Sequence, residues 1–424
     1  MSREENRKNF SKYVSQNILG MIGFSCYVLA DSYFISIAKG ADGLTALNLV
    51  MPLYSIIFSI GEMIGVGSAI RYAIGKIKKD ADADDYFWNA IIWCILSSIL
   101  FVFAGIFFSA DIMRVLGADE HIVAVGNNYT KIFMCFAPMF MCNYVTNAFV
   151  RNDGAPGIAM SATLFSSLFN IVFDYILMFP MNLGMEGAAL ATALSPIIGM
   201  GICSIHFFSK KSSVRLVACK PSVRKLVAGS QLGVSAFVGE MSSAVITLAF
   251  NFVILKLAGN VGVAAYGVVA NIAIVTTAVF NGVAQGSQPL ISSCFGRGDK
   301  DGCTQLKRMG YTTAFVLAAV MYSILFIFAG QFVAVFNSEG SEMLRIYATE
   351  GVKLYFIGIF FAGINIVGGG AFSATENAFK AAVVSVARGF VLILGAVFVM
   401  SALFGMTGVW LAYAVAEGIT TFIM

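Results

Sequence analysis

"GMEGAALATA", residues 184–193, returns as "GMTGVWLAYA" at 405–414, an offset of 221 residues. The same offset lays "GKIKKD" (75–80) on "GRGDKD" (296–301), each following a long apolar stretch interrupted by glycine. "GLTALN" (43–48) falls near "VAAYGV" (263–268) with a slip of one residue. The chain therefore reads as two copies of one unit. What that unit is follows from the segments between the markers.

Those segments are apolar runs of about 20 residues, enough to cross a hydrocarbon core of about 30 Å. Of 424 residues, 58% are hydrophobic and 12% charged, with a mean hydropathy of +0.83. A soluble domain carries roughly twice that share of charge, about 25%. The sequence predicts twelve spans: 15–37, 44–74, 87–109, 128–149, 158–180, 187–208, 228–256, 262–292, 311–336, 352–372, 378–404 and 408–424. The first follows a polar start of both signs (Arg3, Glu4, Glu5, Arg7, Lys8), and it is too long and lacks the small-residue cleavage site of a secretory signal. The last ends at "ITTFIM", so a truncated twelfth span is expected.

The expected fold is an all-α polytopic membrane protein with twelve transmembrane helices in two six-helix pseudo-symmetric bundles around a central cleft. The N-lobe takes residues 1–209, a basic cytoplasmic linker 210–227, and the C-lobe 228–424. An even number of spans per half keeps both halves in one orientation, related by an axis along the membrane normal. In such repeats ligands bind near the midplane between the halves. With the N-terminus inside, 20 of the 27 Lys and Arg fall in cytoplasmic segments. Six fall outside and Arg388 lies within a span. Basic residues are retained on the cytoplasmic side, so both termini are placed there, in the inner cell membrane.

Eight cysteines are scattered singly with no metal-binding spacing and read as buried thiols. His121 and His206, near the span ends, read as ordinary interfacial residues.

Polar residues inside the spans fall at one depth. Asp31 lies about six residues from the outer end of span one, Asp174 about six before Pro180, and Thr192 about six after Glu186; six residues of helix rise about 9 Å. Asn170, in "NIVFDYIL" (170–177), is one turn deeper on the face of Asp174. A carboxylate at that depth marks function, because it cannot reach water easily. Two carboxylates in low dielectric cannot both stay ionised cheaply, so the pair shares a proton or recruits a cation. Oxygen donors from Asp, Asn and Thr suit Na⁺ equally well. The second half does not copy this set: the offset carries Asn170, Asp174 and Thr192 to Val391, Gly395 and Tyr413. Its intramembrane acid is Glu240, in "FVGEMSSAV", with Asn251 further along the same span, and both are candidates for contacting substrate. Glu62 and Glu417 are weaker candidates.

With these residues placed, the chain resembles the multidrug and toxic compound extrusion (MATE) family over essentially its whole length. The resemblance rests on "LADSYFI" (29–35), "NIVFDYIL" with "GMEGAALAT", and "GVAQGSQPLISSCFGRGD" (282–299), in that order and spacing. It implies a two-lobed transporter, not an enzyme. The transporter would be an antiporter that lets H⁺ or Na⁺ in and exports cationic or amphipathic drugs and metabolites by alternating access. It needs no cofactor beyond the coupling ion and acts as a monomer among membrane lipids, on small organic, mainly cationic substrates, with no nucleic acid. Carried over residue by residue, the family's N-lobe cation site matches Asp31, Asn170, Asp174 and Thr192. Its substrate cavity matches Asn147, and its span-seven acid matches Glu240. Two departures stand out. "SQNILGMIG" (15–23) has no proline, so any bend of span one falls to Gly20 or Gly23. "GINIVGGGAFSATEN" (363–377) has no counterpart of the NorM-type C-lobe carboxylate, which points to the DinF-type branch.

Two other classes fit less well. A lipid-linked oligosaccharide flippase calls for a strongly basic cavity, whereas the span interiors hold two Asp, Glu240 with the weaker Glu62 and Glu417, and one clear cation, Arg388. An intramembrane aspartyl protease calls for GxGD, but Asp31 follows "VLA" and Asp174 follows "IVF".

Overall fold

The computed structural model describes residues 3–215, 219–336 and 341–424. Among them nine helices are long and apolar enough to cross a membrane, or ten when Glu120–Cys135 and Ala137–Asn152, bent by 46°, count as one span. Two of these helices each hold two crossings. Val223–Gly296 has 74 residues and breaks at Gly259, and Ala378–Ile423 has 46 and breaks at Gly405. At 1.5 Å per residue they run about 110 Å and about 70 Å, far beyond one hydrocarbon core. Spans one and two, Arg3–Gly40 and Asp42–Lys78, likewise meet at a broken Gly40. The twelve expected spans are thus all found as helices.

The repeat has a physical cause. Gly184 and Gly405, the first residues of the two matched motifs, have φ of +51° and +58°, a region that side chains rarely enter. Three residues on, a Cβ at Gly187 would lie 2.9 Å from the Leu177 carbonyl oxygen, and one at Gly408 would lie 1.9 Å from that of Met400. Each motif therefore turns the chain and lets a new span pack backbone-to-backbone on the span before it. The motif repeats because the hairpin repeats.

Boundaries moved where local chemistry overrode hydropathy. Span seven starts at Val223, inside the stretch expected as linker, because the Ser222 hydroxyl accepts from the Lys225 amide and caps the helix. Span one starts twelve residues early and stays helical through Gly20 and Gly23 without a bend. Its first turns leave the first half: Phe10 and Val14 are buried in the hydrophobic core of spans seven to twelve. A second core gathers residues from Ile35 to Leu232.

The two halves close on each other at the face that carries the termini. There a Cβ on Gly67 would lie 2.0 Å from the Gly229 carbonyl oxygen, and one on Gly286 would lie 2.7 Å from the Val14 Cα. No side chain fits between these backbones. Arg71 adds a 3.1 Å hydrogen bond to the Ala228 carbonyl and an ion pair with Glu376. Among the described residues, every hydrogen bond between the halves lies at this face or at the floor of the cavity above it. The molecule is shut on the terminus face.

Two minor expectations are corrected here. His206 is 3% exposed rather than interfacial, and its Nε2 sits 2.8 Å from an Asp153 carboxylate oxygen that also accepts from the Ser213 amide. That carboxylate fastens the start of the linker to the bundle. Cys26 is exposed, whereas Cys94, Cys142, Cys203, Cys294 and Cys303 are buried as expected.

Candidate functional site

Spans one, five and six bring Asp31, Asn170, Asp174 and Thr192 into one buried cluster, each between 0% and 6% exposed. The helical spacing of 170 and 174 stacks amide and carboxylate on one face. Turned to satisfy its surroundings, the Asn170 amide donates to Asp174 Oδ2 at 3.1 Å. Its oxygen then accepts from the Thr192 hydroxyl at 3.1 Å and from the Thr192 amide at 3.3 Å. Asp31 Oδ1 and Asp174 Oδ1 are buried with no hydrogen-bond partner among the described residues. Buried carboxylate oxygens are ordinarily bonded, so this pair is built to take something up. Spans one and five meet at this depth, where the ring centroids of Phe34 and Tyr175 lie 6.2 Å apart. The donor set fits either a shared proton or a hard monovalent cation.

Tyr27 connects this cluster to a cavity between the halves. It lies one helical turn before Asp31 on span one, and it lines the cavity together with Asn147 and Glu240. Beneath Asp31, the hydroxyls of Tyr54 and Tyr129 bond each other. Asn147 is already engaged: its amide donates to the Ala159 carbonyl at 3.1 Å and to Thr163 at 3.2 Å. Glu240 has no Lys or Arg within ion-pair distance among the described residues. Asn251 does not join the site, for it lies eleven residues beyond Glu240, roughly 16 Å along the helix.

The cavity floor carries residues that sequence reasoning did not place there. Arg151, 4% exposed, donates from Nη1 to Gln285 Oε1 at 2.7 Å, and Gln285 Nε2 donates to Glu62 Oε1 at 3.2 Å. This chain crosses from the first half to span eight and back. By its place between spans four and five Arg151 reads as a cytoplasmic loop cation, and nothing in the "GVAQGSQPL" string (282–290) sets Gln285 apart.

Glu417, a weaker candidate, is not free for an ion. Arg388 Nη2 lies 2.7 Å from Glu417 Oε1, and the Asn365 amide donates to Oε2 at 2.7 Å. A turn of π-helix, Ala387–Val391, sets Arg388 at the height of Glu417. The second half thus holds a built-in cation where the first holds unpartnered carboxylate oxygens.

Twelve spans in two halves around a cavity, closed at one face, define a multi-pass membrane transporter. The sequence profile of the MatE family matches residues 17–176 and 236–399, and the chain belongs to that family. It is 26% identical over 410 residues to the multidrug export protein MepA of Staphylococcus saprophyticus, covering 95% of this chain and 89% of that one. It is 27% identical over 414 residues to MepA of Staphylococcus aureus strain MRSA252, with the same coverage. Among solved structures, the outward-facing conformation of a multidrug resistance MATE family transporter of the MOP superfamily superposes with a TM-score of 0.92 at 20% identity. That match covers 99% of this chain and 94% of the other. A MATE crystal structure in the bent conformation gives a TM-score of 0.88 at 20% identity, against 0.91 at 19% for the straight one. These similarities carry the family and the fold, not the DinF-type branch.

Proposed function

We propose that the protein exports small cationic and amphipathic organic compounds in exchange for entry of H⁺ or Na⁺ at the first-half carboxylates. The observation that carries this is the pair of unpartnered oxygens, Asp31 Oδ1 and Asp174 Oδ1, buried beside a satisfied Asn170–Thr192 bridge. Such a pair binds a cation and releases it as its surroundings change, and a ligand shifts a two-state equilibrium only by its differential affinity for the two states. Tyr27, one helical turn from Asp31, lines the same cavity as Glu240. Cation arrival and substrate departure are thereby linked. The names of the MepA relatives support multidrug export as the cargo class.

In the same reading the lobes are residues 1–209 and 228–424, joined by the basic stretch 210–227, in one monomer of the inner cell membrane. The charge asymmetry of the loops supports cytoplasmic termini, so the closed face is the inner one and the cavity faces outward. Efflux of a cationic dye from proteoliposomes, with a pH gradient and a Na⁺ gradient imposed separately, tests the proposal. Concentrative efflux with one of the two supports it. Dye movement indifferent to both gradients overturns it.

A further inference from the structure

Beside the closed face an open groove of about 880 Å³ runs between the helix of span one and Lys300–Ile327, the helix of span nine. Its lining changes in a fixed order along span one. Arg3 and Arg7 stand at the mouth, facing Arg308. Ser11 and Ser15 follow, opposite Thr312. Ile18 and Leu317, both half-buried, form the apolar end. From Arg3 to Ile18 the helix rises about 22 Å, the distance from a headgroup layer well into hydrocarbon.

The three arginines are exposed, and among the described residues none of the ion pairs includes them. Arg71, Arg114, Arg345 and Arg388 do have such partners. One acid, Asp301, lines the same mouth. Three guanidinium groups against one carboxylate leave a net positive mouth above a hydroxyl band and an apolar floor.

We propose that this groove seats one anionic phospholipid. Its phosphate lies among Arg3, Arg7 and Arg308, its ester oxygens accept from the serine and threonine hydroxyls, and an acyl chain follows Ile18 and Leu317. The net charge of the mouth selects an anionic headgroup over a zwitterionic one, and guanidinium groups match phosphate oxygens geometrically. The apolar floor distinguishes a lipid from free phosphate, which would fill the mouth alone. The occupant touches span one of the first half and span nine of the second, so it braces the halves in the arrangement closed at this face.

Native mass spectrometry of the full chain, released from mixed phosphatidylglycerol and phosphatidylcholine micelles, tests this. The expected result is one tightly retained phosphatidylglycerol that millimolar inorganic phosphate does not displace. Arg3→Gln/Arg7→Gln/Arg308→Gln weakens retention on the order of 100-fold, since each cation near an anionic lipid contributes about fivefold. Thr312→Trp, which fills the groove and leaves every charge in place, also removes the bound lipid. Equal retention of the two lipids overturns the proposal, as does retention unchanged in both variants. Displacement by inorganic phosphate overturns it too, and assigns the mouth to a simple anion.

Discussion

Arg151 and Gln285 are joined by a 2.7 Å hydrogen bond across the two halves of the molecule, and through Gln285 the arginine is tied to Glu62. The bond lies at the floor of the cavity, directly above the backbone contacts that close the terminus face. It can exist only while the halves are together there. Gln285→Leu would leave the Arg151 Nη1 and a Glu62 oxygen without this partner, at a cost of about 1–3 kcal/mol against the closed arrangement. That is roughly a 5- to 150-fold shift in the equilibrium between closed and open forms at this face. Spin labels at Lys79→Cys and Lys380→Cys, in a background free of native cysteines, should report a new, longer distance in the Gln285→Leu protein. An unchanged distance distribution would show that the glycine contacts alone hold the face shut.

Glu240 concerns substrate choice. It faces the cavity without a basic partner among the described residues, so a cationic substrate supplies the missing charge. A charge-assisted hydrogen bond contributes about 1.5–3 kcal/mol. Glu240→Gln should therefore raise KM for a monovalent cationic dye roughly 10- to 150-fold while leaving gradient-driven export of a zwitterionic dye in place. Parallel efflux assays at matched expression separate the two outcomes. Loss of both would make Glu240 part of the coupling machinery.

The second half makes a contrasting claim. Arg388 pairs with Glu417 in this structure, so the pair is expected to act structurally. Glu417→Gln strands a buried guanidinium and should destabilise the protein by about 3–5 kcal/mol, whereas Arg388→Met/Glu417→Gln, which removes both charges, should recover most of that loss. Thermal melting in detergent provides the comparison. Export by the double variant at a rate near wild type completes the expectation. If the double variant is stable and uncoupled, the second half participates in cation exchange.

What the sequence made legible follows the range of each interaction. The two-copy architecture was readable because its cause is local: a turn glycine and a close-packing glycine three residues apart, repeated at 184 and 405. The Asp31, Asn170, Asp174 and Thr192 cluster was readable because depth in a membrane is set by counting residues along straight helices. Family resemblance named the same four. The Arg151–Gln285–Glu62 chain was not readable, since its partners are 134 and 223 residues apart and meet only when the halves close. The Arg388–Glu417 pair escaped for another reason. The π-helical turn at Ala387–Val391 shifts the register of the helix face, which a 3.6-residue period does not anticipate. Asn251 shows the reverse error: a polar residue in an apolar span drew a substrate role by composition, while its position along the helix carries it away from the cavity.

The central claim is that Asp31 and Asp174 couple cation entry to export. Asp174→Asn keeps the side-chain volume and an oxygen for the Asn170 amide, so fold and substrate binding should survive; only the exchangeable charge is lost. The decisive measurement is made on wild-type, Asp31→Asn and Asp174→Asn proteoliposomes loaded with one cationic dye, following both dye–dye exchange and gradient-driven uphill export in the same vesicles. The expected result is exchange retained in all three and uphill export confined to the wild type. Uphill export by Asp174→Asn at the wild-type rate would contradict the claim and move the coupling site out of the first half.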